Sequence, residues 1–213
     1  MSERTVVHLM RHGEVHNPGG VLYGRLPGYH LSDLGQQMAV LVGEHLAAHD
    51  VVRVVASSLE RAQETAGAVA APHVLPVSTD DRVIEAGNWF EGKTFGAGPG
   101  SLARPAVWPR LVNPFRPSWG EPYTEIAERM LLAVTDARAA ARGHEVVLVS
   151  HQLPIWTTRC RLEGRRLWHD PRSRECSLAS LTSLEYADDE LRSITYSEPA
   201  RRLLPGASAV VGA

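Results

Sequence analysis

The sequence predicts a single α/β domain, a three-layer α/β/α sandwich with a mostly parallel central sheet. Short β-branched runs alternate along the chain with longer amphipathic segments, and this alternation is typical of a layered α/β fold. The length of 213 residues suits one domain, and 44% hydrophobic with 22% charged residues is the composition of a globular protein with a packed core. We place the domain at 1–198 and expect a loosely ordered tail, rich in Ala, Gly and Pro, at 199–213.

The first half of the chain alternates between predicted strands and helices. Ser32 can cap a helix over 33–49, because the apolar residues of this stretch recur at spacings of three and four. A second helix is expected from Ser57-Ser58 to about residue 71 for the same reason. The predicted strands lie at 5–10, 53–56, 74–77 and 82–84.

The second half begins with a Pro-rich stretch at 94–121, which we interpret as an insertion over the site, the alternative being a packed excursion. Pro122 suits the first turn of a helix that runs to about residue 142, and Gly143 ends it. The apolar run at 145–150 is the most strand-like of the chain, and a helix is expected to follow it at 152–162. The final hairpin is predicted from strands at 177–186 and 191–197, with its turn at 187–189.

Charge and hydropathy argue against several classes of function. The 22 Lys and Arg against 24 Asp and Glu leave a formal charge of -2, so there is no overall positive field for nucleic acid or an anionic membrane. No apolar run approaches the roughly 20 residues that a membrane helix needs, and the N-terminus lacks a signal-peptide pattern. We therefore expect a cytoplasmic protein. Cys160 and Cys176 lack CxxC spacing and are expected to be free thiols.

Two predicted strands end in histidines. Arg11 and His12 come directly after the first strand, and His151 follows the strand at 145–150. Ligands of open α/β sheets bind at the carboxyl ends of the strands. We therefore expect both histidines to face one crevice.

Two further residues can supply charge at the same edge of the sheet. Arg61 lies in the first turn of the second predicted helix, where both a guanidinium fork and a helix N-terminus favour phosphate oxygens. Glu85 follows the predicted strand at 82–84 and is the candidate proton donor. Two arginines and two histidines together predict a phosphate site.

Other groups of polar residues have simpler interpretations. The spacing of His8, His12 and His16 would suit metal ligands on a helix, but the apolar run around them predicts a strand, so no metal site is expected. Two sets of arginines are interpreted as solvated surface charge, although the first could bind a second anionic group of a substrate. The sets are Arg104, Arg110 and Arg116 in the Pro-rich stretch, and Arg165, Arg166, Arg172 and Arg174 before the final hairpin.

Six short motifs occur in order between residue 5 and about residue 185. They are Leu-Met-Arg-His-Gly-Glu at 9–14, His-Leu-Ser-Asp-Leu-Gly at 30–35, Ser-Ser-Leu-Glu-Arg-Ala-Gln-Glu-Thr-Ala at 57–66, Glu85 with Glu91-Gly92, Gly120-Glu121-Pro122, and Val-Ser-His at 149–151. One Arg-His-Gly triplet would be a weak indication, but six motifs at suitable separations are a strong one. In these motifs the chain resembles the histidine phosphatase superfamily, in the branch with cofactor-dependent phosphoglycerate mutases and related phosphatases.

The resemblance implies a phosphoglycerate mutase-like fold and residue roles that agree with the sheet-edge argument. His12 would be the nucleophile that carries the phosphoryl group, and Glu85 the carboxyl group that protonates the leaving alkoxide and later activates water. His151 would assist in its protonated form. The implied phosphate-binding residues are Arg11, Arg61, His151 and Asn17. No metal or other cofactor is required by this scheme.

We therefore expect a phosphatase that hydrolyses a small phosphate monoester through a phosphohistidine at His12. The alternative is a mutase, which returns the phosphoryl group to another hydroxyl of the substrate. A shorter chain and the lack of a Tyr-Gly element in the acid loop weigh against it by resemblance. A phospho-ligand binding protein without turnover is a third hypothesis. The substrate and the oligomeric state, monomer or homodimer, stay open.

Overall fold

The structure is a computed structural model that describes residues 3–94 and 120–207, and its centre is a six-stranded sheet. The strands are β1 (Arg4–Arg11), β2 (Val51–Ala56), β3 (Val77–Thr79), β4 (Glu145–Ser150), β5 (Leu181–Ala187) and β6 (Glu190–Ser197). Their spatial order is β3-β2-β4-β1-β5-β6. The first four in that order are parallel, and β5 and β6 form an antiparallel edge. The predicted mostly parallel sheet is confirmed.

Helices cover both faces of the sheet. They are α1 (Asp33–Leu46), α2 (Glu60–Ala70), α3 (Tyr123–Ala140) and α4 (Gln152–Leu162). Val146 and Leu148 of β4 pack with α3 and α4, whereas Val147 and Val149 pack with α1 and α2. This alternation arises because successive side chains of a strand point to opposite faces, and it confirms the three-layer sandwich. None of the helices in the described ranges combines the length and apolarity needed to cross a bilayer.

Local sequence features place several elements where they are predicted. The Ser32 side chain caps α1 by accepting a hydrogen bond from Gly35 N at 2.9 Å. The strand β4 and the helix α4 have the predicted bounds. The β5–β6 hairpin turns through Asp188, whose φ of 53° is tolerated by aspartate in turns. Its first strand begins at Leu181 rather than at 177, because a turn closes from Ser180 N to Ser177 O.

Two elements of the first half start later than predicted. Val74 has φ 55° after a 3₁₀ turn over Ala71–His73, so the third strand begins only at Val77. Helix α2 begins at Glu60 rather than at the serine pair, because Ser57 N still bonds to the backbone of β4 at 3.1 Å. Ser57 therefore extends the sheet edge and faces the site described below.

The predicted strand at 82–84 is wrong. Residues Asp81–Val83 form a 3₁₀ turn, which the Asp80 carboxylate caps by accepting from Arg82 N at 2.9 Å. Short polar side chains favour such local bonds over a sheet ladder. Glu85 therefore reaches the sheet edge from a turn rather than from the end of a strand.

The segment after Glu198 is more ordered than predicted as far as residue 207. Residues Arg201–Gly206 form a 3₁₀ helix, and Ala200, Leu203 and Leu204 pack against the apolar cluster beneath α1 and α2. Burial of these apolar side chains opposes the disorder that the composition suggests. Residues 208–213 and most of the Pro-rich insertion, 95–119, lie outside the described residues, so the position of the insertion over the site stays a prediction.

Candidate active site

The carboxyl ends of β1 and β4 carry the two predicted histidines. The strands run in parallel register, with Arg11 opposite Ser150. The chain continues past each strand into a histidine, and the ring centroids of His12 and His151 are 5.1 Å apart. Both side chains are fully buried. The structure thus brings the two imidazoles to one edge of the sheet.

His12 has its tautomer set by a backbone carbonyl. Its Nδ1 lies 2.7 Å from Gly13 O, which can only accept, so Nδ1 carries the proton and Nε2 carries a lone pair. The buried Nε2 has no hydrogen-bond partner in the described parts of the chain. Burial, and then the charges of Arg61 and Arg11, lower the pKa of His12 well below its ordinary value. His12 is therefore a neutral imidazole with a free nitrogen at neutral pH.

Two glycines hold the loop after β1 against helix α1. A Cβ on Gly13 would lie 2.4 Å from Gly35 O, and a Cβ on Gly35 would lie 2.0 Å from Glu14 O. Only glycine allows the two backbones to approach so closely. Gly13 N also donates to Thr65 Oγ1 of α2 at 3.1 Å. These contacts fix the Gly13 peptide, whose carbonyl orients His12.

Arg61 is fully buried in the first turn of α2. Its Nη2 donates to Gly24 O at 2.6 Å, and its guanidinium carbon lies 4.7 Å from the centre of the Tyr23 ring. Its Nε and Nη1 are buried and have no partner among the residues described. Burial lowers the pKa of Arg61 from its usual value, but a guanidinium stays charged at neutral pH. Arg61 thus presents unpaired N–H donors to the site.

Arg11 supplies the second positive charge. Its Nη1 donates to Cys176 O at 2.8 Å, while its buried Nε has no partner within 3–94 and 120–207. The charges of Arg11 and Arg61 both act on the ionisation of His12, His151 and Glu85. The charges of two arginines therefore act on two imidazoles and one carboxyl group of the same site.

His151 has a polar neighbour at each ring nitrogen, and its protonation beside a bound phosphoryl group stays a prediction. Its Nε2 lies 2.7 Å from Ser57 Oγ, and its Nδ1 lies 3.4 Å from Arg61 Nη2. Burial, and then the nearby charge of Arg61, lower the pKa of His151 well below its ordinary value. A third cation beside Arg11 and Arg61 is unfavourable in a buried site. His151 therefore accepts from Arg61 and uses its other nitrogen on Ser57.

Glu85 is a buried carboxyl group, with 3% of its surface exposed. Its Oε1 accepts from Ala86 N at 2.7 Å, and its Oε2 has no partner in the described residues. Burial raises the pKa of Glu85, although Arg61, Arg174 and Arg11 oppose the shift. Glu85 can therefore hold a proton at a higher pH than an exposed glutamate and release it to a neighbouring oxygen.

An ion-pair network positions Glu85. Arg25 Nε donates to Glu85 O at 2.6 Å, and Arg25 Nη2 donates to Glu121 Oε2 at 2.8 Å. Arg129 holds the same carboxylate from the other side, from Nε to Glu121 Oε1 at 2.7 Å. Arg129 also donates to Arg82 O at 2.6 Å, just before the acid loop. Glu121 thus links α3 to the backbone of the candidate acid.

Asn17 does not offer its side chain to phosphate in this structure. Its Nδ2 donates to Val21 O at 2.8 Å, and its Oδ1 accepts from Val21 N at 3.1 Å. Both ends of the amide therefore close the loop over 17–21. A phosphate contact from Asn17 stays a prediction that requires this loop to rearrange.

Four residues of the site are missing from the sequence-based set. Ser57 contacts His151, Tyr23 and Gly24 hold Arg61, and Arg174 faces a small cleft beside Glu85. Ser57 opens one of the six motifs and could have been found there. Arg174 comes from the basic run that is predicted to be a solvated loop, and this prediction is wrong for Arg174 because its guanidinium is largely buried. Tertiary contacts alone bring it to the site.

One further cluster in the described residues has metal-ligand types. The ligand atoms of His8, His49 and Glu145 lie within 4.8 Å of one another. Glu145 Oε2 lies 2.9 Å from His8 Nε2 and 2.8 Å from His49 Nδ1, while Arg4 donates to Oε1 at 3.2 Å. The cluster is at the start of β4, at the opposite end of the strand from His151. It is a hydrogen-bond network around Glu145 and lies apart from the candidate phosphate site.

The site can bind an anion and attack it. His12 Nε2 offers a lone pair, Arg11 Nε with Arg61 Nε and Nη1 offer unpaired donors, and Glu85 Oε2 is free to exchange a proton. Buried polar atoms without partners are unfavourable unless a ligand satisfies them. A phosphoryl group has three equatorial oxygens for the donors and a phosphorus atom for the nucleophile. The arrangement therefore suits phosphoryl transfer through a covalent intermediate.

Comparisons with known proteins identify the family of this chain. The family model of the histidine phosphatase superfamily (branch 1) matches residues 7–199. The uncharacterized protein Rv0525 of Mycobacterium tuberculosis is 58% identical over 200 residues, which cover 94% of this chain and 99% of that protein. Glucosyl-3-phosphoglycerate phosphatase of Mycolicibacterium vanbaalenii is 38% identical over 157 residues, 67% of each chain. The solved mycobacterial glucosyl-3-phosphoglycerate phosphatase Rv2419c has a TM-score of 0.71 at 25% identity, over 92% of this chain and 98% of that one. With its fold, its motifs and its paired histidines, the chain belongs to branch 1 of the histidine phosphatase superfamily.

Proposed function

We propose that the protein is a metal-independent phosphatase that hydrolyses a small phosphate monoester through a phosphohistidine at His12. The observation that carries the proposal is the unpaired, buried Nε2 of a neutral His12 beside unpaired N–H groups of Arg11 and Arg61. These atoms match the phosphorus and the equatorial oxygens of one phosphoryl group.

In the first step His12 Nε2 attacks phosphorus while the bond to the ester oxygen breaks. Arg11 and Arg61 neutralise charge on the equatorial oxygens as the in-line transition state forms, which is the role that a metal ion has in many phosphoryl-transfer enzymes. Glu85 gives its proton to the leaving oxygen, so the alcohol departs neutral. The Gly13 carbonyl, which accepts from His12 Nδ1, stabilises the positive charge that develops on the ring.

In the second step the ionised Glu85 takes a proton from water, and the water oxygen attacks phosphorus. The bond from phosphorus to His12 Nε2 breaks, inorganic phosphate leaves, and Glu85 is again protonated. His151 and Ser57 stay hydrogen-bonded beside the phosphoryl group and complete its polar surroundings. The cycle needs water as its only second substrate.

The relatives favour hydrolysis over mutase chemistry. The Mycolicibacterium vanbaalenii protein, 38% identical, is named as a phosphatase. The test is a measurement of both products from one substrate, 3-phosphoglycerate. Release of inorganic phosphate without 2-phosphoglycerate supports the phosphatase, whereas rapid isomerisation with little free phosphate would make the protein a mutase.

The intermediate is tested directly with p-nitrophenyl phosphate in the presence of EDTA. The wild-type protein should turn over and carry an acid-labile, alkali-stable phosphoryl label, and His12→Asn should lose both. His45→Asn, an exposed histidine of α1 at the other end of the sheet, is the matched control and should keep both. Full activity of His12→Asn would contradict the proposed nucleophile, and complete loss of wild-type activity in EDTA would contradict metal independence.

A further inference from the structure

Arg174 lies in the cleft beside Glu85, and in the described part of the chain its hydrogen bonds go to neutral side chains. Glu85, Tyr123, Leu153 and Arg174 line this cleft. Arg174 forms no ion pair within the described residues, unlike its neighbour Arg172, which pairs with Asp170 at 2.8 Å. The segment 95–119 contains three arginines but no Asp or Glu, so it cannot supply a side-chain carboxylate either. Arg174 is thus a largely buried cation that shares its cleft with the carboxyl group of Glu85 and forms no ion pair with it.

Neutral partners hold the guanidinium of Arg174 in place. Its Nε donates to His169 Nε2 at 2.8 Å, and its Nη1 donates to Gln152 Oε1 at 3.3 Å. The His169 ring in turn packs against Tyr123 and Trp156, with ring centroids 5.7 and 5.9 Å apart. Nη2 makes no hydrogen bond in the described chain. The side chain is therefore oriented in advance and keeps donors for a ligand.

The other charges of the site are balanced without Arg174. Arg11 and Arg61 match the two negative charges of a phosphate dianion, and Glu121 is shared between Arg25 and Arg129. Glu85 begins the proposed reaction in its protonated form. The charge of Arg174 is then left over in a buried cleft, where an unpaired cation is costly.

We propose that Arg174 binds a carboxylate carried by the alcohol part of the substrate, so that the substrate is the phosphate ester of a hydroxy acid. This inference rests on the proposed function. Arg174 shares its cleft with Glu85, which protonates the leaving oxygen, so the cleft receives the leaving alcohol. A planar guanidinium with free N–H groups matches a planar carboxylate in two parallel hydrogen bonds.

The test compares two esters that differ at one carbon. In 3-phosphoglycerate this carbon is a carboxylate, and in glycerol 3-phosphate it is a hydroxymethyl group. The wild-type protein should prefer 3-phosphoglycerate in kcat/KM, measured as released phosphate, by about tenfold or more. Arg174→Met should reduce this ratio to near one, and Arg174→Lys should keep part of it. Arg172→Met is the matched control, because its side chain is 90% exposed in the same loop, and it should keep the wild-type ratio.

A second measurement uses only the wild-type protein, so it does not depend on the folding of a variant. Glycerate should inhibit wild-type hydrolysis of p-nitrophenyl phosphate competitively and more strongly than glycerol. Equal kcat/KM for the two esters, or an undiminished preference in Arg174→Met, overturns the assignment of Arg174. Failure of the wild-type protein to hydrolyse p-nitrophenyl phosphate overturns the proposed function instead, so the two failures are distinguishable.

Discussion

Replacing Glu85 by glutamine tests whether this buried carboxyl group is the proton donor. The substitution keeps the size of the side chain and an oxygen that can accept from Ala86 N, but it removes the exchangeable proton. An alkyl phosphate such as glycerol 3-phosphate needs that proton because its alkoxide is a poor leaving group. We expect its kcat/KM to fall by roughly 100- to 10,000-fold, the usual contribution of general acid catalysis.

With p-nitrophenyl phosphate, the first step of the Glu85→Gln protein should be largely unaffected. The phenolate of this ester leaves without a proton, so formation of the phosphohistidine should survive the loss of Glu85. The second step should be slow because no carboxylate activates water. The Glu85→Gln protein should therefore show a burst of p-nitrophenol, close to one per active site, followed by slow turnover.

The pH dependence gives a further check on the same residue. Burial raises the pKa of Glu85, whereas burial and the arginine charges lower the pKa of His12. For alkyl esters, kcat/KM should rise as pH increases through the lowered pKa of His12 and fall as pH passes the raised pKa of Glu85. In Glu85→Gln the falling limb should disappear.

The assay is a pH series of kcat/KM with both esters, together with rapid-mixing measurements on p-nitrophenyl phosphate. Glu125→Gln, an exposed glutamate of α3, is the matched control and should behave as the wild-type protein. Equal losses on the two esters, or a falling limb that persists in Glu85→Gln, would refute the assignment of Glu85 as the acid.

Three other substitutions probe the site and the fold. Gly13→Ala places a Cβ 2.4 Å from Gly35 O, so urea unfolding should show a loss of about 1–3 kcal/mol and turnover should fall as the His12 loop shifts. Arg61→Lys keeps a charge but loses the guanidinium fork, so kcat/KM should fall by about 100- to 1,000-fold, while Arg161→Lys on the exposed side of α4 should not change it. The Glu145 pKa is held at about 2 by its hydrogen bonds to histidine and arginine, so Glu145→Gln should lower the unfolding free energy at pH 7 by on the order of 3 kcal/mol.

The effect of Glu145→Gln on the unfolding free energy should depend on pH in a definite direction. A lowered carboxyl pKa stabilises the fold above the unfolded pKa near 4.5 and loses its effect as pH falls towards 2. The difference between wild type and Glu145→Gln should therefore shrink over this window. A difference in unfolding free energy that is constant from pH 7 to pH 2 would contradict the ionic role of Glu145. For Gly13→Ala, an unchanged unfolding midpoint in urea would contradict the tight backbone contact.

Elements with strong local signals are predictable from this sequence. The strand β4 contains the apolar run Val-Val-Leu-Val at 146–149, and α4 follows it with the predicted bounds. The meeting of His12 and His151 also follows from the sequence, because parallel strands share one carboxyl edge. Weak local signals fail where side chains compete for the backbone, as at Asp80, which caps a 3₁₀ turn in a predicted strand.

Sequence patterns specify which residue types stand at the ends of strands, and this was enough to indicate a phosphate site with His12, Arg11, Arg61 and His151. Three-dimensional packing decided the contacts and the electrostatic surroundings of those residues. Burial beside two cations lowers the pKa of His151, the loop closed by Asn17 keeps its amide from the site, and His169 accepts a hydrogen bond from Arg174 in a loop predicted to be solvated. These outcomes depend on the summed desolvation and charge of groups far apart in the chain, and no local pattern encodes such sums.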